Sequence, residues 1–521
     1  MIRFLVANQR WRLWLLAAAV MWFATRFHEN GHGWGDDFAL YVNQARGLVW
    51  GNTGDVTADM QFSVANSAYS TFSPIAYPWV FPVLLMPIVA VADIDWSLLK
   101  LVPTAGFTLT AVALLVIARR VTSRRNAALA TLLIVVNPVL LGFTDMVLSD
   151  LVFSGIVMLS IYLLDRWVEH RPFASDARMA MALGVVIALA IHTRREGLAL
   201  LPALAAAQFI RARRSTRQGV ASGHDKGPKA RSVWIWALGS AFTIQVLLPA
   251  PILNSTGTSA LDLENITFNV KWYVNSFAQL FGFNDGGDAP IEFLNSVTAG
   301  QTVLILITLV TAIGIIDGLA SFFWREPKTT AHHSIALIAV TMIVLIAPFR
   351  EQRYLFTVLP LFLLNTIHGA KALGRLYRLD RTFDWGLTIA LTCSLIGNLP
   401  PTVASLDYHR EYEYTHWGPA DPSVIELFDA VERITDQRDV VVFFQARSMN
   451  LNTGRLSIQG NSESMMVERG DWYAMERNSD YIQTPLTPER AEELRFVSVW
   501  ENDRFILWKI PSDRHTGSGI G

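Results

Sequence analysis

Long apolar runs separated by short polar segments fill the first 400 residues, and then the pattern stops. Runs long enough, or nearly long enough, to cross a bilayer lie at roughly 11–27, 96–118, 126–143, 149–165, 179–193, 197–210, 232–250, 302–323, 334–349, 354–370 and 384–400. A twelfth stretch, roughly 76–92, opens with Tyr77-Pro78-Trp79 and contains Pro82 and Pro87. Between the first run and this stretch, Phe38, Tyr41, Val42, Ala45, Leu48 and Val49 recur at helical spacing until Gly51. That pattern predicts an amphipathic helix lying along the membrane surface, with Asp36 and Asp37 at its N-terminus.

Beyond residue 401 the periodicity changes. Val424, Leu427, Phe428, Val431 and Ile434 form one helical face, and Asp439–Phe444 reads as a buried strand. Thr487-Pro488-Glu489 is a helix start, with Thr as cap and Pro in the first turn. Phe496–Trp500 and Arg504–Ile510, joined across Glu501-Asn502-Asp503, read as a hairpin. The fold class is therefore mainly α. A polytopic membrane bundle of about 11 spans (1–400), with loops 28–95 and 251–301, precedes a small α/β soluble domain (401–521) whose tail from Ser512 is disordered. Residues 215–230, rich in Ser, Gly, Lys and Arg, read as a flexible loop.

Basic residues set the orientation. If 76–92 is a proline-broken, half-inserted segment and the N-terminus is cytoplasmic, 23 Lys and Arg fall in inner segments and eight in outer loops before residue 401. The alternative, in which 76–92 crosses and the N-terminus lies outside, violates the rule only at Arg3, Arg10 and Arg12 and puts Asp36 in the cytoplasm. In the first arrangement the long, acid- and aromatic-bearing loops and the α/β domain are extracytoplasmic. The first apolar run has no small-residue cleavage site after it and reads as a retained span.

Composition narrows the function. Over half the residues are hydrophobic, 17% are charged and the formal net charge is −1, which gives no basis for a nucleic-acid partner. The single cysteine, Cys393, excludes an intrachain disulfide and a cysteine metal site. There is no Walker loop, no dinucleotide-binding glycine motif and no Ser-His-Asp signature. What remains is acids and arginines at the outer ends of spans. Carboxylates beside a bilayer are costly and usually have a function; an N-cap with a solvated neighbour is the plainer alternative for Asp36-Asp37. Asp150, in Ser149-Asp150, is either a helix cap or a second carboxylate facing Asp36 across a cavity, where it would orient an acceptor or hold a metal. Asp145 and Asp150 flank the junction between the third and fourth spans. His192-Thr193-Arg194-Arg195-Glu196-Gly197 and Arg350-Glu351-Gln352-Arg353-Tyr354 form two outer basic corners suited to bidentate phosphate contact. His28 and His32 beside the acid pair could ligate a divalent cation, although solvated loop residues are the simpler reading, and Asp285 and Asp288 are turn formers before they are ligands. No metal site is assigned.

Taken in order, these residues resemble the GT-C glycosyltransferase superfamily, which includes protein O-mannosyltransferases and the aminoarabinose transferase acting on lipid A. The resemblance rests on Asp36-Asp37-x3-Tyr41-x3-Ala45-Arg46-x-Leu48, Tyr77-Pro78-Trp79, Ser149-Asp150, Thr193-Arg194 with Gly197, Arg353-Tyr354 with Pro360, and the run Arg447–Arg455, similar to a segment in soluble domains of bacterial members. Two positions depart from the pattern: Asp37 stands where Glu is common, and Trp79 where a second Pro is common.

The resemblance implies a sugar transferred from a polyprenyl-phosphate carrier, on the outer face of the cytoplasmic membrane, to a hydroxyl of a cell-envelope glycan, lipid or protein, with inversion. The implied roles are Asp36 as base with Asp37 second, Asp150 for orientation, and Arg353, Arg194, Arg195 and Tyr354 for the donor phosphate. Membrane lipids are the surrounding partners, and no cofactor is firmly implied beyond the lipid-linked donor, with a divalent cation left open. A transporter or flippase of lipid-linked sugars, or a scaffold anchored by the bundle, are the rival classes.

Overall fold

In the computed structural model all eleven apolar runs become helices. The structure describes residues 10–68, 74–169, 176–217, 231–250, 263–283, 299–323, 330–347, 350–411, 415, 417–478 and 483–511. Five helices among these are long and apolar enough to cross a membrane: Trp96–Val121, Asp150–Val168, Gly300–Phe323, Gln352–Tyr377 and Asp380–Glu411. Arg124–Val135 and Pro138–Thr144, which meet at 54°, together form either a broken sixth span or a re-entrant loop. The bend has a cause in sequence. Pro138 cannot continue the preceding hydrogen-bond ladder, and the Asn137 side chain caps the new helix by accepting from Leu140 N. The other expected spans are helices of 15 to 18 residues, such as Arg10–Ala24 and Asp176–Thr193, so the count of eleven is not reached on length and hydropathy.

Asp150–Val168 and Gln352–Tyr377 are the most buried spans; Gly300–Phe323 and Asp380–Glu411 lie at the periphery. Close crossings are made by glycine. A Cβ at Gly106 would stand 2.4 Å from the Val152 Cα, and one at Gly155 2.6 Å from the Gly106 carbonyl. Small residues let membrane helices approach where no hydrophobic effect drives them together. The Trp96–Val121 and Asp150–Val168 spans are paired in this way, so the N-terminal end of the second is fixed against the first.

The stretch at 76–92 forms the helix Val80–Ala92, with Pro87 inside it. Thirteen residues reach about 20 Å, short of a hydrocarbon core of about 30 Å. The expected boundary at 401 falls within a helix. Asp380–Glu411 runs ten residues further, through Pro400 and Pro401, and is held there by the Thr402 hydroxyl, 2.6 Å from the Val136 carbonyl on a neighbouring helix.

The C-terminal domain has a five-stranded sheet of β1 (Val440–Val442), β2 (Leu456–Ile458), β3 (Trp472–Glu476), β4 (Val497–Glu501) and β5 (Phe505–Lys509), in the order β2-β1-β3-β5-β4. β1 pairs in parallel with β2 and β3, while β4 and β5 form the expected hairpin. Alternation along β5 sorts its side chains onto two cores. Phe505 and Leu507 pack with Val424, Leu427 and Val431 of the Pro422–Ile434 helix; Ile506 and Trp508 pack with Met465, Met466 and Met475. Asp421 caps that helix, and Thr487 caps Pro488–Glu493. The Ser512 tail lies outside the described residues, as does most of 215–230.

This domain sits on the membrane part. Its Ala446–Thr453 helix lies on the Asp36–Trp50 helix, with Asn43 Nδ2 2.7 Å from Asn450 Oδ1 and Arg46 Nη1 2.8 Å from the Leu451 carbonyl. A second helix, Thr53–Asn66, braces β2 through Ser63 Oγ, 2.7 Å from the Ser457 carbonyl.

Candidate active site

Asp36 and Asp37 are the first two residues of the Asp36–Trp50 helix, which ends at Gly51 in the left-handed region. Phe38, Tyr41, Val42 and Ala45 turn inward onto Phe81, Leu85 and Val89, so the helix is anchored by its apolar face and its acids point along the domain junction. Neither carboxylate caps the helix: the position before it is Gly35, and no side-chain cap bond forms.

The two acids meet different partners. Asp37 Oδ2 accepts from Arg353 Nη2 at 2.8 Å, Oδ1 accepts a short hydrogen bond from the Tyr77 hydroxyl, and Arg447 Nη1 lies 3.5 Å away. Burial alone would raise its pKa, but Arg353, Arg447 and the phenol outweigh it and hold the group at about 2. Asp36 makes longer contacts, 3.4 Å from Ser448 N and 3.3 Å from Gln459 Nε2, and the Arg447 backbone also bears on it. Burial pushes it up to about 7, against the pull of Arg447. One acid of the pair is thus ionised at any ordinary pH, and the other titrates near neutrality.

Asp150 begins the Asp150–Val168 span, and Arg194 Nη1 donates to its Oδ1 at 2.6 Å. The capping alternative fails here, because Ser149 Oγ is 2.8 Å from the Tyr41 hydroxyl and makes no cap bond. Arg194 also reaches Glu196 at 3.1 Å. Tyr41 stacks on Tyr77 at 4.4 Å between ring centroids, which joins the Asp150–Arg194 half of the network to the Asp37–Arg353 half. The guanidiniums of Arg194 and Arg353 lie 5.2 and 5.8 Å from the Tyr354 ring centroid. Together with Phe153, Val340 and Val344 these residues line a narrow cleft with both charged and apolar walls. Two buried atoms in it, Asp150 Oδ2 and Arg353 Nε, have no hydrogen-bond partner among the described residues. Orphaned groups of this kind mark places where a ligand completes the bonding. A roomier cavity of about 510 Å³ lies far from this chemistry, between Lys371, Arg375, Arg381 and Trp385.

Of the residues singled out in the sequence, Asp36, Asp37, Asp150, Arg194, Arg353 and Tyr354 meet in one network. Arg195 does not line the cleft and acts on it only through its charge on Glu196. Asp150 pairs with Arg194 and not with Asp36, so the two carboxylates belong to different halves of the site. Both readings of His32 need correcting. His32 is buried, accepts from Val147 N at 2.9 Å and contacts the Gly33 carbonyl at 2.7 Å, leaving no nitrogen for a metal. His28 contacts the Thr104 hydroxyl at 3.1 Å. Burial lowers both, to about 3 and about 4, so they are neutral structural groups. Asp145 is likewise structural, 2.6 Å from the buried Lys100 ammonium. Asp285 and Asp288 lie outside the described residues.

Three site residues were assigned no role in the sequence: Arg447, Ser448 and Gln459, all from the C-terminal domain. Arg447 is buried, donates to the Pro74 carbonyl at 2.9 Å and sits between Tyr77 and Asp37. The only signal for it was its position in the Arg447–Arg455 run.

The fold is similar to those of solved ArnT and archaeal oligosaccharyltransferase structures. Among solved structures, ArnT from Cupriavidus metallidurans superposes in its apo state with a TM-score of 0.55 at 12% identity, covering 96% of this chain and 98% of that one. Its form bound to undecaprenyl phosphate gives 0.52 at 13% identity, covering 97% and 99%. The apo oligosaccharyltransferase of Archaeoglobus fulgidus gives 0.54 at 12% identity, covering 89% of this chain and 69% of that one. At such identities the likeness is one of fold. No family model matches the chain, and no curated protein matches it.

Proposed function

We propose that this chain is a membrane glycosyltransferase that moves a sugar from a polyprenyl-phosphate carrier to a hydroxyl of a cell-envelope glycan, lipid or protein. The reaction runs on the outer face of the cytoplasmic membrane, where the C-terminal domain also lies. The observation that carries the proposal is the unequal acid pair beside an arginine-lined cleft with an apolar side. Undecaprenyl phosphate in the ArnT structure and dolichol-phosphate in an archaeal AglB structure support a lipid phosphate as the donor's carrier.

The chemistry follows from the residues. Arg353 and Arg194 receive the donor phosphate, with the prenyl chain along Val340 and Val344. The acceptor oxygen attacks the anomeric carbon from the side opposite the phosphate, giving inversion. As that bond forms, the bond from carbon to phosphate oxygen breaks, and the electron pair leaves with the phosphate, where the arginines stabilise it. The acceptor's proton passes to Asp36, whose pKa near 7 suits a base working at neutral pH. Asp37, already ionised, orients Arg353 and Arg447 and does not take the proton. Asp150 holds Arg194. Ser448 and Gln459, next to Asp36, bring the C-terminal domain to the acceptor side of the site.

The test is incubation of the purified protein with labelled polyprenyl-phosphate sugar and envelope fractions. Release of polyprenyl phosphate together with a labelled acceptor is the expected result. Movement of intact lipid-linked sugar across a reconstituted bilayer, without release, would replace this reading with the transporter. A soluble domain that supplies contacts to the key acid favours the enzyme, since a transporter has no use for it.

A further inference from the structure

The three helices that line the cleft carry a second polar cluster towards their other ends. Asp165 lies one helix-length beyond Asp150, about 22 Å along the same span. His332 and His333 begin the Ala331–Ile346 helix, which supplies Val340 and Val344 to the cleft. His368 belongs to the Leu355–Tyr377 helix, which follows Arg353. All four side chains are buried. His332 Nε2 and His333 Nε2 each lie 2.8 Å from the same atom, Asp165 Oδ1. His333 Nδ1 lies 3.0 Å from His368 Nε2.

Two features set this cluster apart from ordinary packing. Consecutive residues on a helix diverge by about 100° and do not normally face one point. Here both rings, 4.5 Å apart, aim their Nε2 atoms at one carboxylate oxygen. In addition, a carboxylate within a membrane bundle is costly and persists where it has a task.

We infer that Asp165, His332 and His333 form a binding site for a divalent transition-metal ion of the zinc class. One ligand atom from each lies within 4.8 Å of the others. Two imidazoles and one carboxylate are a nitrogen–oxygen set suited to zinc, and poorly suited to magnesium or calcium, which prefer oxygen and water. Tetrahedral zinc, with bonds of about 2.0–2.1 Å, holds ligand atoms about 3.3 Å apart. The two 2.8 Å contacts therefore need to open by only about 0.5 Å. His368 supplies the outer support: with His333 Nε2 on the metal, Nδ1–H donates to His368 Nε2, which fixes the tautomer and the ring.

The site is structural. It ties together, away from the cleft, the helices that carry Asp150, Val340, Val344 and Arg353, and it stands whether or not the transfer reaction is as proposed.

The test is elemental analysis of the full-length protein, purified in detergent from zinc-supplemented cells. About one zinc per chain is expected for the wild type and for Asp36→Asn, which separates this site from any metal at the acid pair. His332→Gln, His333→Gln and Asp165→Asn should each fall below a tenth of that content. Because a variant may lose metal by misfolding, the wild type is also stripped with a chelator and reloaded with cobalt(II). Its thermal midpoint should drop on stripping and return on reloading, with a visible cobalt band that His333→Gln lacks. A wild type with less than a tenth of an equivalent of zinc, or zinc retained in both histidine variants, would overturn the inference in favour of a closed hydrogen-bond network.

Discussion

The two ends of the bundle use the same kinds of side chain in opposite ways. At one end, Asp165 and its histidines make short contacts with one another at 2.8–3.0 Å. At the other, contacts of 2.6–2.8 Å at Asp150 and Asp37 stand beside contacts of 3.3–3.4 Å at Asp36, and Asp150 Oδ2 and Arg353 Nε are left over. A tight cluster of this kind can lock helices together. The open set has groups free to change partners when a phosphate and an alcohol arrive. A site needs both: reacting groups with unmet bonding capacity, and a frame rigid enough to hold them within a few tenths of an ångström. The helices that end in the cleft are the ones pinned at their far ends.

The largest effect falls on the acid whose bonding is least complete. Asp36→Asn should lower turnover by about 10²–10⁴-fold, the usual contribution of a positioned base. Binding of the polyprenyl-phosphate donor should be unchanged, since Arg353 and Arg194 are intact. Turnover close to wild type would remove Asp36 from that role. Arg353→Ala comes next. A hydrogen bond to a charged group is worth about 1.5–3 kcal/mol, so donor affinity should fall between about tenfold and 150-fold. Acceptor affinity should move much less. Equilibrium binding of the lipid-linked sugar measures this, and an unaltered donor affinity would sink the phosphate assignment.

How far the sequence could anticipate this contrast depends on distance along the chain. Every apolar run became helical, one of them as two helices, and Asp37, Asp150, Arg194, Arg353 and Tyr354 came together because helix ends in one layer must be near one another. Arg447, Ser448 and Gln459 escaped because their contacts arise from docking two domains, and docking leaves no periodicity to read. The Asp165 cluster escaped for a related reason: Asp165 and His368 sit in apolar runs, His332 and His333 stand just before one, and only the packing of three helices makes a cluster. His32 misled because a histidine beside two acids resembles a ligand, whereas its bonds go to Gly33 and Val147. The domain boundary expected at 401 was missed because the helix runs on through Pro400 and Pro401 to Glu411, with Thr402 bonded to the Val136 carbonyl.

The ionisation of the acid pair gives a finer test. Asp36 acts as a base only when ionised, so turnover should climb as pH rises through about 7 and level off above it. Arg447 lowers the Asp36 pKa by favouring its charged form. Arg447→Gln removes that pull, so the acid limb of the rate profile should move to higher pH. A limb that stays in the same position in that variant would mean that another group controls the rate.

The smallest expected effect distinguishes two adjacent arginines. Arg194 and Arg195 look equivalent in sequence, and a lipid-phosphate site could use either. Their surroundings differ. Arg194 is clamped between Asp150 at 2.6 Å and Glu196 at 3.1 Å, with its guanidinium beside Tyr354. Arg195 begins the next short helix outside the cleft and reaches it only by lowering the pKa of Glu196. A half-exposed charge acting through a neighbour contributes about 0–1 kcal/mol. Arg195→Ala should therefore leave donor affinity within about fivefold of wild type, while Arg194→Ala weakens it as strongly as loss of Arg353. Measured side by side, equal losses from the two substitutions would show that the open end of the bundle draws its charge from the whole corner and not from the residues lining the cleft.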